Sequence, residues 1–351
     1  MNGRRAAIAG ALASAALFGA STPFAKLLLG EMPPLMLAGL LYLGSGLGLA
    51  AWLGLRSLIA PQPVGASIAR ADWPWIAGAI LAGGIAGPAL LMAGLARTGA
   101  ATTALLLNLE AVLTAVIAWT AFRENVDRRV FAGMVAIVAG GILLSIGDAP
   151  GRSDVVGPAL VAAACLAWAV DNNLTRRVSG GDAVTLACLK GCVAGATNLA
   201  LALTGGAALP ALAPIAGAAL LGLAGYGVSL VLFIVALRQL GTARTAAYFS
   251  VAPFFGAALS FAMFAELPGA IFWIAAALMG IGVWLHVTER HEHRHVHEAQ
   301  EHSHPHVHDE HHQHAHEFAW DGREPHVHPH RHEAMVHRHA HDPDLHHRHS
   351  H

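Results

Sequence analysis

Ten apolar stretches, each about 20 residues long and separated by Pro, Gly or charge, leave this chain few ways to fold. They run approximately over 6–29, 34–55, 73–96, 100–121, 130–147, 156–175, 183–204, 212–237, 243–264 and 268–287. A helix needs about 20 apolar residues to cross a hydrocarbon core of about 30 Å. Backbone exposed to lipid must bond to itself, and no alternating strand pattern supports a barrel, so the stretches are expected to be helices. The chain is 55% hydrophobic and only 12% charged, with mean hydropathy +0.52, which excludes an ordinary soluble domain. Up to and including Arg290 it has 16 Lys/Arg and 11 Asp/Glu, most of them between the apolar runs. The expected class is an all-α integral membrane body of ten transmembrane helices.

Loop charge sets an expected orientation. With the N-terminus inside, the inner side receives Arg4, Arg5, Arg56, Arg70, Arg123, Arg128, Arg129, Arg176, Arg177, Arg238 and Arg244. The outer side receives Arg97 and Arg152, plus Lys26 near a helix end. This bias predicts a multi-pass protein of the inner (plasma) membrane with both termini cytoplasmic. The first helix follows Arg4 and Arg5 as in a signal sequence, but it runs on to Leu29 without a persuasive cleavage site and reads as retained. Cys165, Cys188 and Cys192 lie inside apolar runs and read as buried small hydrophobes; Cys188 and Cys192 also share a helix face. Small residues recur at helix-contact spacing in Gly44–Gly48, Gly83–Gly87 and Gly191–Gly195.

The body also repeats. At an offset of 142, Leu95 matches Leu237, Gly99 matches Gly241, Thr103 matches Thr245, Phe122 matches Phe264, Glu124 matches Glu266 and Gly140 matches Gly282. Five helices per copy is an odd number, so the second copy must enter the membrane upside down. Inverted repeats are a transporter architecture, with the path at their interface near the midplane. The expected organisation is a first repeat over 6–147, a second over 156–288, and a disordered His-rich tail over 289–351.

The segments LLLNLEAVLTAVIAWTAFREN (residues 105–125) and YFSVAPFFGAALSFAMFAEL (residues 248–267) resemble the two diagnostic helix ends of EamA-type permeases, in the drug/metabolite transporter superfamily. The resemblance covers about residues 6–288 as two copies. It implies ten helices around a central cavity, alternating access, and export of small metabolites, amino acids or drugs. The first copy departs from the pattern, with Ala111 where the second has Pro253 and Glu110 in place of an apolar residue.

Ionisable groups at membrane depth point to a pathway. Glu110, with Asn108 nearby, sits mid-span with no basic residue within a turn, so its carboxyl is suited to bind a cation or exchange a proton. Asp171 lies about 7 residues before, and Lys190 about 8 residues after, the ends of consecutive helices. At 1.5 Å per residue both are about 10–12 Å from the intervening turn, and they can meet as an ion pair. That pair is either a structural clasp or a cargo-gated element. Asn172 and Asn198 extend the polar lining, whereas Glu124 and Glu266 read as boundary residues.

A sharp change of material follows Val287. The last 61 residues hold 23 of the 24 histidines, and with neutral histidines their 5 Arg and 11 acids give a charge of −6. The candidate metal ligands are His291, His293, His295, His297, His302, His304, His306, His308, His311, His312, His314 and His316. Residues two apart share one side of an extended chain, so H-x-H runs suit chelation by an extended segment. Imidazole is mostly neutral at pH 7, its ordinary pKa being about 6.5, and nitrogen ligands favour Ni, Zn, Co or Cu(II). The alternative is a pH-responsive polyampholyte with no dedicated metal.

These features predict a secondary transporter that exports a divalent transition metal collected by the tail. The first rival keeps the body but moves a metabolite or drug, with the tail as buffer or regulator. The second is a membrane-anchored metal store. The expected partners are the lipid bilayer and a small solute or metal ion, with homodimerisation left open. No cofactor in the body, no nucleic acid and no enzymatic activity are expected. The phosphate-binding G-x-x-x-x-G-K-[ST] loop does not occur, which disfavours ATP drive within the chain.

Overall fold

The structure, a computed structural model, describes residues 2–59, 70–122, 128–147, 155–175, 183–240, 245, 248–265, 268–288, 292–297, 300–306, 326–332 and 335–340. Two compact units separate at Met1–Glu289 and Arg290–His351. The first unit is helical. Its helices are α1 (Asn2–Leu28), α2 (Pro34–Ile59), α3 (Arg70–Arg97), α4 (Ala100–Leu106 with Leu109–Phe122) and α5 (Arg128–Gly147). There follow α6 (Val156–Thr175), α7 (Ala183–Thr204), α8 (Leu212–Gly222 running on through Leu240), α9 (Ala252–Phe264) and α10 (Ala270–Val287). Seven stretches among the described residues are long and apolar enough to cross a membrane, and α9 and α10 contain shorter apolar ones. The outward faces are apolar: Leu47, Leu81, Ile146, Leu220 and Trp284 are more than half exposed, as suits contact with lipid.

Helix pairing follows one pattern. Where α1 packs on α8 and α9, α6 packs on α3 and α4; where α2 packs on α8, α7 packs on α3. The pairs α2–α7, α4–α9 and α5–α10 complete the bundle. Exchanging α1–α5 with α6–α10 therefore leaves this set of contacts unchanged.

Glycine makes the closest of these approaches. A Cβ on Gly191 would lie 2.8 Å from the Cα of Gly46, and one on Gly195 would strike the backbone of Leu43, so α2 and α7 meet main chain to main chain. Likewise Gly44 abuts Ala219, and Gly222 abuts Leu41. Without a hydrophobic force between helices in lipid, such van der Waals contact drives association.

Two helices depart from α geometry at matching places. In α3 the segment Ile80–Ala86 is π-helical, and in α8 so is Leu223–Val228. Gly83 and Gly225, one in each segment, are 142 residues apart. α4 is broken at residues 107–108, and α9 ends at Ala265 in the left-handed region (φ 50°).

Within the tail, four short described segments pair as strands: β1 (Glu292–His297) antiparallel with β4 (Met335–Ala340), and β2 (Gln300–His306) with β3 (His326–His332). The physical reason lies in the alternation of histidine with other residues, a period of two that matches a strand as well as an extended coil.

Candidate functional site

Three helices present matched faces to one cavity. On α6, Trp168, Asn172 and Thr175 recur at helical spacing; on α7, Leu186, Ala187, Lys190 and Gly191 do so; on α8, Tyr226, Ser229, Leu230 and Phe233. Phe18 of α1, Tyr42 and Ser45 of α2, Ile76 of α3, Glu110 of α4 and Phe249 complete the wall of a cavity of about 390 Å³. That volume lies in the range that accepts a small organic molecule. The lining comes from the start of α3 and α7 and from the end of α6 and α8, so the cavity occupies one half of the bundle. In the other half Lys26 donates to the carbonyls of Leu95 and Thr98 (2.9 Å to the latter) at the end of α3.

Aromatic rings form a continuous arc. Tyr42 lies 5.7 Å from Tyr226, which lies 5.8 Å from Phe18; Phe18 lies 5.5 Å from Phe249, and Phe249 lies 5.1 Å from Phe233. The polar groups are few. Lys190 forms an ion pair with Asp171, whose other carboxylate oxygen accepts from Thr175 Oγ1 at 3.0 Å. Asp171 is buried, its side chain 5% exposed against 23% for Lys190. Gly83 makes this placement feasible, because a Cβ there would collide with the Asp171 carboxylate. Glu110 Oε1 accepts from Asn172 Nδ2 at 2.9 Å. Asp171 thus has a formal counter-ion, and Glu110 has a neutral amide donor.

The structure brings four of the sequence-predicted residues together: Glu110 with Asn172, and Asp171 with Lys190. Glu110, Asn172 and Lys190 line the cavity; Asn108, Asp171 and Asn198 do not. Asn108 is buried, and its side-chain amide donates at 2.8 Å to Leu105 O, the carbonyl that also accepts its own backbone N–H at 3.1 Å at the break in α4. Asn198 is fully buried against the π segment of α3. Of the tail candidates, His291, His308, His311, His312, His314 and His316 lie outside the described residues, as do Glu124 and Glu266. His293, His295 and His297 fall on β1, and His302, His304 and His306 on β2. Among the described residues no group of three or more His, Cys, Asp or Glu could hold a metal ion. Cys165, Cys188 and Cys192 are free thiols, the first of them buried.

Sequence reasoning missed the aromatic arc. One signal was present: Tyr42 and Tyr226 fall mid-span, whereas tyrosine in membrane proteins concentrates at the water interface.

Known proteins agree with this architecture. The model of the EamA-like transporter family matches twice, over residues 5–146 and 155–288. An uncharacterized transporter of Methanothermobacter thermautotrophicus (strain Delta H) is 28% identical over 282 residues, covering 76% of this chain and 82% of that one. A crystal structure of a protein with 19% identity superposes with a TM-score of 0.56, covering 79% of this chain and 95% of its own, a likeness of fold. With two family matches spanning most of its length and an apolar helical body built for the bilayer, the chain belongs to the EamA-like transporter family and is a multi-pass membrane transporter of a small solute.

Proposed function

We propose that this protein is a secondary transporter built from two inverted five-helix repeats, and that its cargo is a small organic solute with an aromatic or apolar body and a cationic nitrogen. The carrying observation is the cavity: five contiguous rings share its wall with Glu110, and Asp171 beside it is already balanced by Lys190. Counted formally, the two carboxylates and one ammonium leave one negative charge, and a carboxylate at membrane depth favours a counter-ion. A cargo cation and a proton are alternative counter-ions for Glu110, so the site is suited to exchange one for the other. Aromatic faces attract cations as well, by about 0.5–2 kcal/mol each. The matched helix pairing supports the inverted repeat. The basic loops support an inner (plasma) membrane location with both termini cytoplasmic, which turns this cavity toward the cytoplasm.

The tail favours a second reading, export of Ni, Zn, Co or Cu, with the histidines collecting metal near the cytoplasmic mouth. Its weakness is the lining, which offers one carboxylate, that of Glu110, and the ammonium of Lys190 where a transition metal takes three or four N, O or S ligands. Under the first reading the tail is a buffer or regulator that binds these metals independently of the cargo.

The test uses proteoliposomes with an imposed proton gradient and benzyltrimethylammonium as probe, with benzoate and Ni²⁺ as comparison solutes. Gradient-driven accumulation of the ammonium probe is expected, with Glu110→Gln reducing its binding about tenfold or more, a loss of about 1.4 kcal/mol. Equal binding to both proteins would remove the cation reading. Transport of Ni²⁺ in place of the probe would establish the second.

A further inference from the structure

A π segment carries one residue more than the α-helix needs, and its looser register lets carbonyls tilt away from the helix axis. In α3 those carbonyls are taken up by side chains from three other helices. Tyr42 Oη of α2 donates to Gly83 O at 3.1 Å, and Trp168 Nε1 of α6 donates to the same oxygen at 2.9 Å. Asn198 Nδ2 of α7 reaches Gly84 O at 3.4 Å and Ile85 O at 3.3 Å. The fit is close, since a Cβ on Gly87 would lie 2.8 Å from Trp168 Nε1.

Tyr42 and Trp168 also line the cavity. Two of the side chains that line the cavity are therefore the two that hold Gly83. The geometry points to Tyr42 and Trp168 as positioning residues that couple filling of the cavity to bending of α3 at Gly83. The inference rests on the chain being a transporter and is independent of the class of cargo. A body that displaces either ring takes a donor from Gly83 O. The π segment, released, then interconverts with α register and opens its backbone amides as it does so; removing one residue of offset turns the preceding arm by about 100° with a shift of about 1.5 Å. That arm carries Ile76 and Ala79 on the cavity wall, so its rotation reshapes the mouth.

The latch belongs to one copy. Its donors sit on α2, α6 and α7, whose counterparts are α7, α1 and α2. α7 contains no Tyr, α1 no Trp and α2 no Asn. The bend in α3 is thus tied to occupancy by contacts that α8 does not duplicate.

The experiment needs no cargo. Ala187 lines the cavity from α7, and in the full-length protein Ala187→Cys carrying N-ethylmaleimide fills it covalently; the unsubstituted protein treated identically controls for the native thiols. Hydrogen exchange followed by mass spectrometry compares the peptide over 80–86 with that over 223–228. Labelling is expected to speed exchange at 80–86 about fivefold and leave 223–228 unchanged. Adding Tyr42→Phe and Trp168→Phe should raise the unlabelled rate at 80–86 to a similar level and reduce the effect of labelling to less than about twofold. Should that pair of substitutions prevent folding, Tyr42→Phe alone keeps its ring beside Tyr226 and should give about half the logarithmic effect. Equal acceleration at both segments, or a labelling effect that survives removal of the donors, overturns the inference. Failure of the cation reading leaves every one of these outcomes readable.

Discussion

Lys190→Met should be more damaging than Asp171→Asn, although the two substitutions break the same ion pair. The reason is unequal burial. Without Lys190, Asp171 is left with its side chain 5% exposed, pressed against the backbone at Gly83, and holding one hydroxyl donor from Thr175. Stranding a buried charge in this way costs about 3–5 kcal/mol. Without the Asp171 charge, Lys190 still reaches the cavity with 23% of its side chain, and an amide at 171 still accepts from it, so a loss of about 1–3 kcal/mol is expected. The two substitutions together strand nothing. Their combined loss should fall short of the sum by at least about 1.5 kcal/mol, within the 0.5–3 kcal/mol typical of residues in contact. SDS titration of the purified protein in mixed micelles, followed by tryptophan fluorescence, gives the four stabilities. Additivity within about 0.5 kcal/mol, or a larger loss for Asp171→Asn, would refute the reasoning.

Two further outcomes follow from other parts of the chain. Gly191→Leu places a side chain where the Gly46 backbone lies 2.8 Å from a bare Cβ, so α2 and α7 must separate; at least about 2 kcal/mol of stability should be lost, whereas Gly10→Leu, with nothing within 4 Å, should change it by less than about 0.5 kcal/mol. A peptide spanning residues 289–351 should bind more than one equivalent of Ni²⁺ or Zn²⁺ at pH 7 and bind more weakly at pH 5.5, because protons occupy the imidazole lone pairs as pH falls below about 6.5; a stoichiometry of zero, or binding indifferent to pH, would contradict this.

Much of the helical plan was legible because its determinants are local. Apolar length, Pro and Gly punctuation and loop charge mark the spans within a few residues. Counting residues from the turn placed Asp171 and Lys190 within reach, and the structure joins them. Gly191 and Gly195 announced a close helix contact through their spacing alone, although nothing local named Gly46 and Leu43 as the surfaces they meet. Asn108 shows the limit. A polar residue mid-span suggested a pathway, but its amide bonds within its own broken helix, and the break depends on packing that no window of sequence contains. The π segment of α3 was illegible for the same reason, since its carbonyls are taken up by helices about 40 to 115 residues away in the chain. The aromatic arc draws on α1, α2 and α8, and only the tertiary fold makes their rings neighbours.

The exchange of α1–α5 with α6–α10 has a thermodynamic consequence. In a perfectly two-fold molecule with oppositely directed halves, the conformations open to either side of the membrane would be degenerate, equal in free energy and equally populated. Under the inverted repeat proposed above, the helix pairing of this chain keeps that symmetry, and its side chains break it. Glu110 faces Ala252 at the matching position of the second copy. Asp171 lies on α6, while its counterpart α1 carries no acid. Each unduplicated contact stabilises one conformation without stabilising its mirror, and every 1.4 kcal/mol of imbalance shifts their ratio about tenfold. On that proposal, the side to which an empty protein rests is set by a handful of singular residues, and substitutions at those positions would reverse it without altering a single helix.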